Sequence, residues 1–410
     1  MLFAKPNAEL LCKGVETDEE LRLANDLMAK VHMADYFAAL NWLETCGAGY
    51  PGFRREHTRI ALWRGELAGA LRMNTETIRL GEARLKTGGM GWVTTEPRHR
   101  KKGIGRALII DTLDYMRNHG YHLSLLFGIP NFYHRFGFAT ALSDYAIIVE
   151  LEETASLSAS AHKVRLAKPG DIPTIQRIHN ANDNGVACSL IRNSAHLTNK
   201  WAHCGKSIRV LANGQGKVVA YFMARKDGTA LVVDEVGVAE NASCESVLAA
   251  CAHMAADEAA GRIRFLVPPP HPFAHFLLQY KSIHEMRVTH DEGGMLAFVN
   301  LSETLESMTP EWERLIADSS LRDARAELTL LAGGEAYRIR SNRGAIDVAA
   351  ASGRNRVSLT PVELMFLVTG CRHVEDVLAA RRRILSEETR RFLAALFPRR
   401  APYVWTFDRF

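Results

Sequence analysis

No run of apolar residues in this 410-residue chain approaches the roughly 20 needed for a membrane-spanning helix, so no such span is expected. The opening stretch, MLFAKPNAELLCKGVETDEE, has no apolar core of the kind an export signal requires, and the chain is expected to be soluble and unexported. Cysteine is scarce: there are seven, an odd number with no C-x-x-C pair, which argues against a disulfide framework and for reduced thiols in a cytoplasmic protein. Cys188 and Cys204 are expected in the core. A strong excess of one charge is missing too. Lys and Arg number 51 against 46 Asp and Glu, a formal net charge of +5, too mild to argue for a nucleic-acid partner. The basic residues concentrate in 98–106 and 381–400, where they could attract an anion.

What is present is an ordinary globular composition, 47% hydrophobic and 24% charged, on a chain long enough for two to four domains. The pattern divides into three. In residues 1–150, Thr17 and Glu20 form a capping box ahead of a helix through Leu21, Leu27 and Val31. Strand-like runs follow (TRIALWRG, ELAGALRM, ARLKTGGMGWVTT), then a helix, then HLSLLFGI, which suits a buried strand. Residues 151–163, small and polar, read as a linker. Residues 164–300 replay the first unit with a helix, Gly-turned strands and the helix CESVLAACAHMAADEA. Residues 301–410 form a third unit with an acidic helix, alternating strands and a basic helical stretch. The expected fold class is mixed α/β or α+β, with central sheets flanked by helices.

The stretch RHRKKGIGRALI, residues 98–109, lies between the strand WVTT and a helix that begins near Ile104. Ile104, Leu108, Ile109, Thr112, Leu113, Tyr115 and Met116 cover about half of that helix, which therefore packs on a sheet. A helix N-terminus carries roughly half a positive charge and several unpaired N–H groups, so it attracts phosphate. Gly103 and Gly105 let backbone amides approach an anion, and Arg100, Lys101, Lys102 and Arg106 add charge around it. Two common phosphate loops fail on spacing. No Ser or Thr follows a Gly-Lys pair, and Leu108 stands where a dinucleotide fingerprint needs its third glycine.

What holds is R-x-x-G-x-G, Arg100 to Gly105, which resembles the coenzyme A pyrophosphate loop of the GNAT superfamily of N-acetyltransferases. YHRFGF, Tyr133 to Phe138, resembles the segment that follows the splayed strand in that superfamily. The resemblance implies acetyl-CoA as co-substrate, with Val93, Thr94 and Thr95 along its pantetheine arm, residues 100–106 including Ile104 on its pyrophosphate, and Gly128 and Ile129 beside the acetyl group. A thiolate leaving group is best expelled with a proton, and the Tyr133 phenol, with a reference pKa of about 10, can donate one at neutral pH. Phe132, Phe136 and Phe138 are expected to be core.

The second unit lacks this loop, and Glu240 stands where phosphate would need positive charge, so it is expected to bind no coenzyme A and to shape the substrate pocket. The three-part arrangement resembles the enhanced-intracellular-survival (Eis-like) acetyltransferases, whose third domain is similar to sterol carrier proteins. That resemblance implies a homo-oligomer, with a hexamer as the candidate assembly. It also implies that the terminal carboxylate, here on Phe410 at the end of the apolar tail APYVWTFDRF, is the general base. The best-known members of that family hold polycationic aminoglycosides in a wide acidic pocket, and no acidic cluster can be assembled from this sequence, so the resemblance does not fix the acceptor; an aminoglycoside-like amine, a polyamine and a lysine side chain are the candidates. The competing readings are a non-catalytic acyl-CoA or lipid-binding sensor and a protein-lysine acetylase that scaffolds partners. His271 and His275 lack the intervening Glu of a zinc protease, and the prolines around them oppose a helix, so no metal is expected. RRRILSEETRR reads as a solvated helix face balanced by Glu387 and Glu388.

Overall fold

The computed structural model describes residues 9–32, 35–157, 162–239 and 243–410. The mixed α/β architecture expected from the sequence forms three sheets. The first unit supplies β1 (Leu10–Gly14), α1 (Asp18–His32), α2 (Tyr36–Trp42), β2 (Thr58–Trp63), β3 (Glu66–Leu80), β4 (Ala83–Thr95), α3 (Ile104–Asn118), β5 (Leu123–Gly128) and β6 (Ala139–Thr140). The next segment supplies β7 (Asp144–Glu150), β8 (Lys163–Leu166), α4 (Ile172–Asn182), α5 (Ser194–Cys204), β9 (Ile208–Ala212), β10 (Val218–Asp227) and β11 (Ala230–Val238). It continues with α6 (Cys244–Asp257), β12 (Arg262–Phe265), α7 (Pro272–Leu277), β13 (Ile283–Arg287) and β14 (Gly293–Phe298). The last holds α8 (Leu301–Ser307), α9 (Thr309–Ala317), strands β15 (Arg325–Ala332), β16 (Glu335–Asn342), β17 (Ala345–Ala349) and β18 (Arg356–Ser358), then α10 (Pro361–Thr369), α11 (Val374–Ala379) and α12 (Glu387–Leu396).

Half of the expected capping box forms: Glu20 N donates to Thr17 Oγ1 at 3.1 Å, but the Glu20 carboxylate accepts from Glu16 N at 2.8 Å, one residue before the cap, and α1 follows. The helix after the basic loop buries Ile104, Leu108, Ile109, Thr112 and Met116 against the first sheet, the face its apolar spacing sets.

The two seven-stranded sheets run β1-β2-β3-β4-β5-β14-β6 and β13-β7-β12-β11-β10-β9-β8. Aligned by order, the second repeats the first, and β7 fills in the second sheet the place that β14 fills in the first. The two units therefore exchange a strand, across the boundaries that the sequence pattern suggests at 150 and 300. Between those units, Leu151–Thr154 makes a single 3-10 turn, and Lys163 already opens β8. The third sheet, β17-β16-β15-β18, is not a separate body. One apolar cluster joins its Leu328, Leu330 and Ile339, with Trp312 and Phe392, to Ile78, Leu85, Leu125 and Leu296 of the first sheet.

Three local expectations change. Cys188 is buried, but Cys204 at the end of α5 is only half-buried. Pro272 opens α7 instead of preventing it, because proline suits a first helical position, and His271 caps that helix by accepting from Phe273 N at 3.2 Å. The arginine run precedes α12, and Arg381 and Arg383 pair with Glu363 of α10 at 3.0 and 2.9 Å instead of with Glu387 or Glu388.

Candidate active site

Strands β4 and β5 run parallel for four pairs, Thr87 with Leu123 through Met90 with Leu126. Then they part. Phe127 and Gly128 pair with Gly294 and Gly293 of β14, while Thr94 and Thr95 stay on β3 opposite Ala70 and Gly69. A V opens between the two strand ends. On its β4 arm the register slips between Ala70 and Arg72, and Trp92 takes a left-handed φ of 56°. Such a bulge turns the strand and interrupts its ladder. Trp92 is held there by the rings of Trp42 and His32, at 5.5 and 5.6 Å, and His32 Nε2 lies 3.1 Å from Val93 O.

The basic loop closes the mouth of the V. Lys101 and Gly103 are left-handed, at φ 63° and 82°, on either side of Lys102. A Cβ on Gly103 would meet open space, so the backbone conformation, not crowding, favours glycine there. The first helical bond of α3 is Ala107 N to Gly103 O, and among the described residues the amides of 101–106 donate to no backbone carbonyl. Arg100, Lys101, Lys102 and Arg106 are exposed around them. This is a nest of free N–H groups at a helix N-terminus, with net positive charge: an anion site. Beside it a cleft of about 530 Å³ is lined by Arg106, Leu113, Arg117, Phe132, Arg135 and Phe136. Phe138 is core, as expected; Phe132 and Phe136 instead face this cleft. A larger cleft of about 940 Å³, walled by Arg225, Arg264, Glu285 and Arg409, lies on the second sheet, and its Arg409 guanidinium stands 4.6 Å over the Phe127 ring.

Tyr133 opens the 3-10 turn Tyr133–Phe136 and is buried beside Phe132 and Phe138. Its ring fills the space that a side chain on Gly128 would take, with Cδ2 2.5 Å from that Cβ position. Burial alone pushes its phenol up to about 12, which keeps it protonated across the neutral range. Ile129, next along, is 63% exposed.

Phe410 enters the V from the opposite face. A Cβ on Gly91 would lie 2.8 Å from its carboxyl carbon and 3.3 Å from its oxygen, and a Cβ on Gly89 would lie 2.1 Å from its ring. The ring meets Phe127 edge-on at 6.4 Å. Phe410 thus reaches Phe127 and Tyr133 reaches Gly128, neighbours along β5 whose side chains point to opposite faces. Among the described residues the terminal carboxylate has no ion pair or hydrogen bond. The β3 residues opposite Gly91, Gly89 and Thr87 are Arg72, Asn74 and Glu76, all buried. Burial lowers the Arg72 guanidinium to about 10, and its Nη2 donates to Asn25 at 2.6 Å; Glu76 accepts from Tyr50 Oη at 2.5 Å and lies 3.2 Å from His196 Nε2.

The structure therefore brings Val93, Thr94, Thr95, the 100–106 loop, Gly128, Tyr133 and Phe410 around one V. Glu240 lies outside the described residues. His271 is buried, and among the described residues no group of three or more His, Cys, Asp or Glu could hold a metal ion. Sequence reasoning missed Gly89, Gly91 and Phe127. The available signal was three glycines within TGGMG in a strand, since glycine inside a strand often marks a close approach.

Residues 17–141, which hold the V and its loop, match the family model of the acetyltransferase (GNAT) domain. With that domain the chain is an enzyme of the acyltransferase class. No curated protein matches the sequence. Among solved structures, a GCN5-related N-acetyltransferase from Anabaena variabilis is similar over 98% of this chain and 100% of its own, at 14% identity and a TM-score of 0.75. One from Kribbella flavida gives 16% identity and 0.74, with 98% of each chain covered. Eis1 from Mycobacterium abscessus gives 15% and 0.65, covering 98% of this chain and 100% of that one. At such identities the likeness is one of fold. It extends past the GNAT domain to the strand-exchanged second unit and the third.

Proposed function

We propose that the chain transfers the acetyl group of acetyl-CoA directly to a primary amine. The acetyl-CoA pyrophosphate lies on the amides of 101–106 with Arg100 and Arg106 beside it, the adenosine end enters the cleft along α3, and the pantetheine arm follows Val93 to Thr95. The thioester then stands in the V, near Gly128 and Ile129. The amine nitrogen attacks the carbonyl carbon, the C–S bond breaks, the leaving sulfur takes the Tyr133 proton, and the proton that the nitrogen sheds as the amide forms returns through water to the tyrosinate. An amine with a lysine-like pKa of about 10.4 is almost wholly protonated at pH 7 and must first lose a proton. The Phe410 carboxylate receives it through water. A carboxylate with a pKa near 3.5 is a weak base, but it also binds the ammonium form and so holds the acceptor in place.

The observation that carries this reading is the placement of an unpaired carboxylate against Gly91, in the same V as a buried, protonated phenol. The three-part chain supports an enzyme of the enhanced-intracellular-survival type with a sterol-carrier-like third domain. On that reading it works in the cytoplasm as a homo-oligomer, a hexamer being the candidate assembly, and acts on an aminoglycoside-like amine, a polyamine or a lysine. The test is to extend the chain by a few residues beyond Phe410 and to measure thiol release from acetyl-CoA with a panel of such amines. Turnover should fall severely with acetyl-CoA affinity nearly unchanged; normal turnover by the extended chain would place the base elsewhere.

A further inference from the structure

In the second sheet β11 and β12 repeat the geometry of the first V: four parallel pairs, Ala230 with Arg262 through Val233 with Phe265, and then separation. This second V is filled. Tyr403 and Trp405 are buried in one apolar cluster with Val233, Phe265 and Phe273. Tyr403 N donates to Ala187 O at 2.9 Å, its Oη to Leu266 O at 3.1 Å, and Trp405 Nε1 to Asp183 at 2.9 Å. Lys200 Nζ donates to Phe407 O at 2.7 Å and stands 4.5 Å over the Phe407 ring. All these partners belong to the second unit.

The centre of the contact is Arg192, whose side chain is fully buried. Two of its nitrogens donate to Glu235 at 2.8 and 2.7 Å, and Nε and Nη2 donate to the two oxygens of Asp408 at 2.8 and 2.9 Å. Tyr221 Oη adds a bond to Glu235 at 2.6 Å. A buried ion cluster is a poor source of stability, because well-packed apolar residues often serve as well; where its worth is known, it is in fixing one arrangement among several. The arrangement fixed here is that of the last residues. Two residues of extended chain span at most about 7 Å, so the grip on Asp408 limits how far Phe410 can move, together with Arg409, which stands 4.6 Å over the Phe127 ring and pairs with Asp144.

We propose that the second V is a receptor for the chain's own C-terminal tail, and that Arg192, held by Glu235 and gripping Asp408, is the positioning residue that sets the Phe410 carboxylate against Gly91. This rests on the reading of Phe410 as the base. Arg192 touches neither substrate. It acts through Asp408, and only a bidentate guanidinium can serve both carboxylates at once.

The test compares Asp408→Asn and Arg192→Lys with wild type and with the chain extended beyond Phe410, all as full-length protein. Steady-state kinetics with acetyl-CoA and an accepted amine are read alongside amide hydrogen exchange over 403–410. Both variants should lose kcat by tenfold or more, with KM for acetyl-CoA within twofold of wild type and faster exchange in the tail. Loss of kcat and acetyl-CoA binding together would indicate general damage and overturn the positioning role. Should Arg192→Lys fail to fold, Asp408→Asn decides alone, since it is nearly isosteric and leaves Arg192 paired with Glu235. A dead extended chain beside an Asp408→Asn variant of full turnover overturns the clamp and leaves the base assignment standing. An extended chain of full turnover overturns the base assignment and the clamp's catalytic purpose with it.

Discussion

Gly91→Ala tests the active V with a single methyl group. Gly91 lies in β4, outside the left-handed region, and alanine is favoured over glycine within a strand by about 0.5–1 kcal/mol, so the backbone accepts the change. The difficulty is the neighbour: the new Cβ would stand 2.8 Å from the carboxyl carbon of Phe410. Unbonded carbons rest about 3.5–4.0 Å apart, so the terminus must withdraw by about 1 Å. A misplacement of that size in a reacting group can cost about 100-fold in rate. The assay is thiol release from acetyl-CoA, with the background from the protein's own free thiols subtracted, together with KM for acetyl-CoA and the melting temperature. We expect kcat to fall about 100-fold, with KM and melting temperature close to wild type. Gly88→Ala is the control, because its Cβ would strike the flexible Met116 side chain on the α3 face. It should cost stability, about 1–3 kcal/mol for an overpacked core, without a matching loss of kcat. If Gly91→Ala turns over within twofold of wild type while Phe410 is shown to be displaced, the carboxylate is not the base.

Three further outcomes are expected. Gly103→Asp sets a negative charge among the free amides of 101–106 and should abolish acetyl-CoA binding without unfolding the chain, since open space surrounds the site and Asp tolerates a left-handed φ; unchanged binding by calorimetry would remove the pyrophosphate from this loop. Tyr133→Phe keeps the ring packing and loses the proton donor, so kcat should drop about 10²–10⁴-fold where chemistry is the slow step. With the phenol pushed up to about 12, the wild-type rate should show no alkaline loss from Tyr133 between pH 8 and 10, and a variant of full turnover would return Tyr133 to the core. His271 is pushed down by burial from 6.5 to about 3, so the unfolded chain takes a proton that the folded one refuses, and the stability it permits above pH 6.5 is lost as pH falls, by about 3 kcal/mol at pH 4. His271→Asn retains a capping side chain and should show a shallower fall in melting temperature between pH 7 and 4; parallel falls would rule His271 out as the cause.

The parts that were legible in the sequence are those set by neighbours along the chain. The α3 face follows from the spacing of its apolar residues, the loop from Gly103 and the run of cations, and the docked tail from the aromatic residues at its end. What escaped depends on partners far apart. DYAIIVE reads as a strand, but nothing local says that it joins the sheet of the following unit and not its own. Arg192 stands in LIRNS with no motif around it, and its partners Glu235 and Asp408 lie 43 and 216 residues away. In TGGMG the glycines look like breaks in a strand, yet β4 runs through them; their need arises from a residue over 300 positions later, which the alternation of apolar and polar residues cannot encode.

The exchange of strands and the returning tail share one consequence. The far arm of the V, Phe127 and Gly128, turns away from β4 because it pairs with Gly294 and Gly293 of β14, a strand that arrives only after the second unit is complete. The near arm keeps its ladder to β3, so the width of the opening is set by which strand lies beyond β5. The face of the V opposite Tyr133 is filled by the last residue of the chain, after the third unit has been built against the same sheet. The matched segment, 17–141, contains the amide nest, the bulge and the buried phenol, but neither the strand that holds the arm open nor the carboxylate. On the proposed mechanism, binding and acyl-transfer chemistry are therefore encoded at different distances along the chain: the anion site by about ten consecutive residues, the proposed acid–base pair only by the closure of all three units on one another.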